Sequence, residues 1–160
     1  MTTLKIGMKR VMAQGVFDIL HPGHLYYLSE SAKKGDELYV VIARDSRIKD
    51  KKNIFFGENE RREIIESIEM VDCAELGSEG NLFDSVEKIC PDIITIGHDQ
   101  EFDIDVLKHQ LKKSGFENIE IVRIPECKRE GLRSSSEMKK KIKDLNGNDS
   151  FISVVKNGNQ

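Results

Sequence analysis

The sequence predicts an α/β fold: a doubly wound parallel sheet of about five strands with helices on both faces. Short continuous apolar runs, rich in β-branched residues, recur along the 160 residues. Runs of that kind suit strands covered on both faces. Helical periodicity fills the stretches between them, which predicts right-handed βαβ crossovers. Composition supports one full core. Hydrophobic residues make up 38% and Gly adds 12 residues, an apolar share of about 45%, ordinary for a globular domain.

The elements follow in chain order. Arg10–Ala13 leads into an apolar run ending at Phe17 and Asp18. Pro22–Lys34 reads as a helix whose two terminal lysines and Gly35 are stop signals, with Gly35 expected as the C′ glycine, a position usually left-handed. Leu38–Ala43 is the second strand. Asn59–Ile68 carries Ile64, Ile65 and Ile68 on one helical face. Val71–Leu76 is a weaker strand, and Leu82–Ile89 is a helix with Asn81 as N-cap. Asp92–Ile96 and Ile119–Ile124 are strands flanking a helix over Asp103–Ser114, which stops at Gly115. The last helix, Ser134 to about Leu145, starts with Ser134 and Glu137 in capping-box spacing. Residues 1–145 are expected to form the domain. The Asn-Gly-Asn-Asp-Ser break starts a tail, 146–160, in which Phe151–Val155 is either a docked edge strand or frayed.

Charge narrows the function. The net charge is −3, from 25 basic and 28 acidic residues. That argues against a general nucleic-acid or membrane-surface binder, which shows a basic excess. No apolar run approaches the ~18 residues of a membrane span, and Met1–Lys9 has no secretory h-region. Cys73, Cys90 and Cys127 are odd in number and widely spaced, so thiols in a reducing cytoplasm are expected. Cys73 and Cys90 lie in apolar contexts that suggest core positions. Cys127, in a polar loop, is expected to be exposed.

The strongest motif is Gly15-Val16-Phe17-Asp18-Ile19-Leu20-His21-Pro22-Gly23-His24. It leaves the first strand and opens the first helix. Pro22 suits the first turn, Gly23 lets a ligand approach the backbone, and the helix N-terminus attracts anions. His21 and His24, three apart, share a face there, an arrangement suited to a phosphate chain whose charge grows in a transition state. A metal pair fits less well, because no third ligand is evident. Three further segments fall at expected ligand edges: Ala43-Arg44-Asp45 with Arg47, Lys49, Lys51 and Lys52; Ile96-Gly97-His98-Asp99-Gln100; and Arg133-Ser134-Ser135-Ser136, whose hydroxyls and N–H groups form a second anion cradle.

The G-x-F-D-x-x-H-x-G-H pattern resembles the signature of the cytidylyltransferase-like nucleotidyltransferases, and the resemblance runs from about Arg10 to Ile142. It implies a Rossmann-like fold in which His21 and His24 bind the nucleotide triphosphate and stabilise transfer at its α-phosphate. It also implies phosphate contacts from a loop lysine (Lys51 or Lys49), from Arg61 in an E-R-x-x-x-I element ending at Ile65, and from the serines at 134–136, loosely aligned with an I-S-S-T-like motif. Nucleotide contacts are expected from Gly15, Val16, Phe17, Asp18, Gly23, Gly97 and Asp99. Substrate contacts are expected from Asp45, His98, Gln100 and Phe102.

Glycerol-phosphate cytidylyltransferases carry a G-D-D-W-like segment where this chain has Gly97-His98-Asp99-Gln100. The segment, followed by Phe102-Asp103, is more similar to the archaeal-type FAD synthases, as are Ala43-Arg44-Asp45 and Leu76–Gly80. The expected reaction is therefore FMN plus ATP to FAD plus pyrophosphate, by direct in-line transfer with Mg²⁺ on the triphosphate. A cytidylyltransferase making a CDP-alcohol from CTP and glycerol 3-phosphate is the alternative, and a nucleotide-binding regulator without turnover is a third reading. Phe55, Phe56 and Phe102 are candidates for a flavin slot. Cysteine near position 127 is shared with the FAD synthases. A homodimer is expected on the resemblance alone.

Overall fold

The computed structural model describes residues 7–49, 54–128, 131 and 135–146. Lys51, Ser134 and the 147–160 part of the tail lie outside them. The described elements are β1 (Arg10–Gly15), α1 (Pro22–Ala32), β2 (Glu37–Ile42), a 3₁₀ turn (Asp45–Arg47), α2 (Glu58–Glu66), β3 (Cys73–Leu76), α3 (Leu82–Ile89), β4 (Ile93–Ile96), α4 (Ile104–Lys113), β5 (Glu120–Arg123) and α5 (Ser135–Asn146). The five strands form one sheet in the order β3-β2-β1-β4-β5, and all four pairings are parallel. The expected α/β fold with helices on both faces is what the chain adopts.

Alternation along the strands builds two cores. Val11 and Ala13 of β1, with Leu38, Val40 and Ile42 of β2, pack with Leu28 of α1 and Ile65 of α2 on one face. Met12, Val41, Ile94 and Ile96 face the other way, onto Val86 and Ile89 of α3 and Leu107 and Leu111 of α4. Each such Leu or Ile contributes about 1.5–3 kcal/mol by leaving water. Polar groups between α1 and β4 are paired. The Tyr27 hydroxyl donates to Thr95 O at 2.9 Å, and the hydroxyls of Ser31 and Thr95 lie 2.8 Å apart, fixing α1 over β4. At the opposite end of the sheet, Asp36, Asp72 and Asp92 accept the N–H groups of Lys9, Leu38 and Arg10.

The chain runs outward from β1 through β2 to β3, then returns to add β4 and β5 on the other side of β1. The strand order therefore reverses between β1 and β4, and a crevice opens outside their C-terminal ends, where ligands bind in sheets of this type.

Two local expectations change. Gly35 is not left-handed, since among the described residues the positive-φ glycines are Gly7, Gly115 and Gly131. Its reason is close approach: a Cβ at 35 would lie 2.7 Å from Lys9 O and from Val11 Cγ2. The cysteines exchange places. Cys90 ends α3 in the left-handed region and is exposed, Cys73 is half-buried, and Cys127 is buried. A residue turned out at a helix end leaves the core, whereas the segment after β5 folds into a cavity wall.

Gly35→Ala should lower stability by about 1–3 kcal/mol, the usual cost of forcing a methyl into packed structure. Urea unfolding measures it, and an unchanged midpoint would show that β1 yields without cost.

Candidate active site

A cavity of about 820 Å³ opens at the β1–β4 switch point, within the ~300–1,000 Å³ range of small-molecule sites. Its walls come from the loop after β1, the N-terminus of α1, the loop after β4, the segment after β5 and one face of α5.

The loop after β1 is shaped by two unusual residues. Phe17 has φ +52°, a left-handed conformation that costs a bulky residue roughly 1–2 kcal/mol. The ring it turns inward comes so close to Gly15 that a Cβ there would stand 2.8 Å from it. Phe17 then meets the His24 ring edge-on at 5.2 Å and stacks with Tyr27 at 6.3 Å. The glycine and phenylalanine of the motif are thus one packing unit that seats the histidine.

His21 is the N-cap of α1. Its Nδ1 accepts the His24 N–H at 3.3 Å, so a neutral His21 carries its proton on Nε2. The two imidazoles stack 3.7 Å apart at 23°. Burial, reinforced by the neighbouring His21 ring, pushes the His24 pKa down to about 4 against the opposing pull of Asp99 and Asp18. Burial lowers His21 as well, with Asp99 and Glu137 opposing. At neutral pH the protein therefore holds two uncharged imidazoles at a helix N-terminus.

Asp18 ties three elements together. Its carboxylate accepts the N–H groups of Phe55 and Phe56, each at 2.9 Å, and pairs with Lys139 of α5 at 3.1 Å. Burial alone would raise its pKa, but the amides of Phe56 and Phe55 and the Lys139 ammonium outweigh that and hold it below the ordinary value.

The loop after β4 is braced from within. Gln100 Oε1 accepts the Gly97 N–H, and its Nε2 donates to Gln14 O, both at 2.9 Å. Arg123 donates to the carbonyls of Gly97 and Gln100 at 3.0 Å and of Phe102 at 2.6 Å. These bonds leave His98 and Asp99 exposed on the cavity wall. Among the described residues Gln14 Nε2, buried in the same wall, has no hydrogen-bond partner. A buried donor without a partner is costly.

The cavity thus gathers Gly15–Asp18, His21, Gly23, His24, Gly97–Gln100 and Ser136 from the sequence candidates. It leaves out Arg61, Asp45 and Phe102. Arg61 is 0% exposed, and four of its five N–H groups are engaged within the protein. It donates to Val16 O at 2.7 Å, Ala43 O at 2.8 Å, Phe56 O at 3.1 Å and Asp45 Oδ1 at 2.6 Å. Arg61 braces the loops around the cavity, and Asp45 is its counter-charge. Phe102 lies on the surface beside the braced loop. Lys51 and Ser134 lie outside the described residues, as does the Ser135 side chain. Sequence reading missed Lys139, Lys140 and Lys143 of α5, which line the cavity with Ser136. The spacing of 136, 140 and 143 along a helix was the available signal. Arg123 and Gln14 carried no such pattern.

The cytidylyltransferase-like family model matches residues 12–141. The chain belongs to the cytidylyltransferase-like family. It is 47% identical over 137 residues to a protein of Methanocella paludicola named FAD synthase, covering 86% of this chain and 98% of that one. It is 50% identical over 142 residues to a FAD synthase of Thermoplasma volcanium, covering 88% of this chain and 98% of the relative. A solved structure described as the lipopolysaccharide core biosynthesis protein of Thermoplasma volcanium superposes with a TM-score of 0.72 at 50% identity, covering 76% of this chain and 99% of that one. No helix among the described residues is long and apolar enough to cross a membrane.

Arg61→Lys should fold poorly or melt well below the native protein, because a lysine cannot serve four acceptors in a planar fork. Thermal unfolding with and without nucleotide measures this. A stable but inactive Arg61→Lys protein would instead point to a direct ligand role.

His24 makes stability depend on pH. Its unfolded pKa is about 6.5 and its folded one about 4. Between these values the unfolded chain binds a proton that the folded chain refuses, so stability falls as pH drops from about 6.5 to about 4. The slope is at most about 1.4 kcal/mol per pH unit for one proton. Asp18 acts in the same direction, but below the carboxylate range. Urea midpoints between pH 4.5 and 6.5 should fall with pH in the native protein and fall less steeply in His24→Gln, where the smaller His21 share remains.

Proposed function

We propose that the chain is an FAD synthase, transferring AMP from ATP to FMN with release of pyrophosphate. The observation that carries this reading is the pair of stacked imidazoles at the N-terminus of α1, open to the cavity. Identity of 47–50% to proteins named FAD synthase, over most of both chains, supports the flavin substrate.

An FMN phosphate oxygen attacks the α-phosphorus of ATP. The new phosphorus–oxygen bond forms as the bond to the β-phosphate breaks in line, and pyrophosphate carries the electron pair away. The chain supplies position and charge, not a nucleophile. His21 donates from Nε2, and the Gly23 backbone offers an N–H at the helix start. An approaching triphosphate favours protonated imidazoles, so binding takes up protons and creates positive charge where negative charge develops. Lys139, Lys140 and Lys143, with Ser136, face the same cavity and suit the β- and γ-phosphates.

Mg²⁺ held by the triphosphate would neutralise phosphate charge. Asp99, exposed on the cavity wall, is a hard oxygen donor that would suit an ion held mainly by phosphates and water. A homodimer in a reducing cytoplasm completes the reading.

The test offers ATP and CTP separately against FMN and glycerol 3-phosphate, with Mg²⁺, and separates products by chromatography. FAD from ATP and FMN is expected. CDP-glycerol as the dominant product would replace the acceptor and keep the family chemistry. His24→Ala should keep the fold and lose on the order of 100-fold in rate. Near-normal single-turnover pyrophosphate release from it would refute the role given to the imidazoles.

A further inference from the structure

Phe55 is 74% exposed, a large apolar ring turned to solvent. The Phe55–Phe56 backbone, by contrast, is pinned at three points. Asp18 accepts the N–H groups of Phe55 and Phe56, and the Phe56 carbonyl accepts from Arg61 Nε at 3.1 Å. A tethered backbone seldom carries an unburied aromatic ring, since water should drive the ring inward. Among the described residues the ring has one aromatic neighbour, Phe56, edge-on at 4.9 Å and 81°. That contact and its exposure together leave ring surface uncovered.

Position gives the exposed ring a use. Phe55 itself lies beside the cavity rather than in it. Ile54, the preceding residue, lines the cavity, as does the Asp18 that holds Phe55. Val16, 38% exposed, lines the same rim, and its carbonyl shares the Arg61 guanidinium with that of Phe56. An acceptor whose phosphate lies beside the imidazoles has its remaining bulk to place along a cavity wall, and this rim is one such wall. In FMN that bulk is a ribityl chain ending in a flat, largely apolar tricyclic ring. Glycerol 3-phosphate has nothing to place there.

We propose that Phe55 is a specificity-determining residue for the acceptor, stacking on the isoalloxazine ring of FMN at the cavity rim. The proposal rests on the FAD synthase reading. Asp18 and Arg61 hold the platform still, so little ordering remains to oppose binding. ATP binds elsewhere in the cavity and is indifferent to the ring at 55.

The experiment compares native protein, Phe55→Leu and Phe55→Trp. Native protein must first convert FMN and ATP to FAD; failure there removes the function reading and this proposal with it. Given turnover, Phe55→Leu should raise KM for FMN on the order of tenfold, the worth of one aromatic stack. KM for ATP should stay unchanged. Phe55→Trp should restore KM for FMN and, in titrations without ATP, quench flavin fluorescence more than native protein does. An unchanged KM for FMN in Phe55→Leu overturns the proposal, and so does a parallel rise in both KM values. A loss of dimer with both KM values intact would also overturn it, assigning the ring to a subunit contact.

Discussion

A guanidinium without water must find every acceptor inside the protein, and its surroundings must be built to supply them. Arg61 draws on carbonyls that follow β1 and β2 and precede α2, with the Asp45 carboxylate as counter-charge. Withdrawing any one of them leaves a buried charge short of partners, at a cost of several kcal/mol. The loops at the C-terminal edge of the sheet are therefore not independent. Each is held where the others need it, and the cavity keeps its shape without depending on a bound ligand.

Asp18 extends the same logic with the opposite sign. It is a buried anion whose partners are two backbone N–H groups of the segment before α2 and a lysine of α5. The left-handed backbone at Phe17 belongs to this scheme. A strained residue persists only where its neighbours over-determine it, and here the Gly15 contact, the His24 ring and the neighbouring Asp18 anchors all do so. The strain places a ring beneath His24 and turns Asp18 toward the rim.

The fold was legible because its signals are local. β-branched runs, the Asn81 cap and the Gly115 stop each depend on a few adjacent residues, and all five strands and helices appear within a few positions of expectation. The histidine loop was legible for the same reason, since cap, proline and glycine lie within one turn. Arg61 was not, because its burial depends on three loops distant in sequence, and an arginine at a helix start looks alike whether it faces solvent or carbonyls. Cys90 misled because an apolar context does not say which way a helix end turns, and Cys127 because polar neighbours do not say which side chains of a loop face inward. The α5 lysines resembled a solvated charge run. Only the packing of that helix across the switch point makes one face of it part of the site.

The uncharged state of the histidines follows from this rigidity. Two imidazolium rings stacked 3.7 Å apart would repel strongly, and half-buried rings cannot shed the charge to water. A braced site cannot spread them apart to relieve the repulsion. Each proton is therefore refused until an anion arrives to offset both repulsion and burial. On the proposed reading, a single phosphate offers little offset and a triphosphate offers much, so the site charges most fully for the substrate whose reaction needs the charge. Selectivity for a polyphosphate and stabilisation of its transfer then come from one cause: two stacked imidazoles, kept neutral chiefly by burial, that take up protons beside an anion.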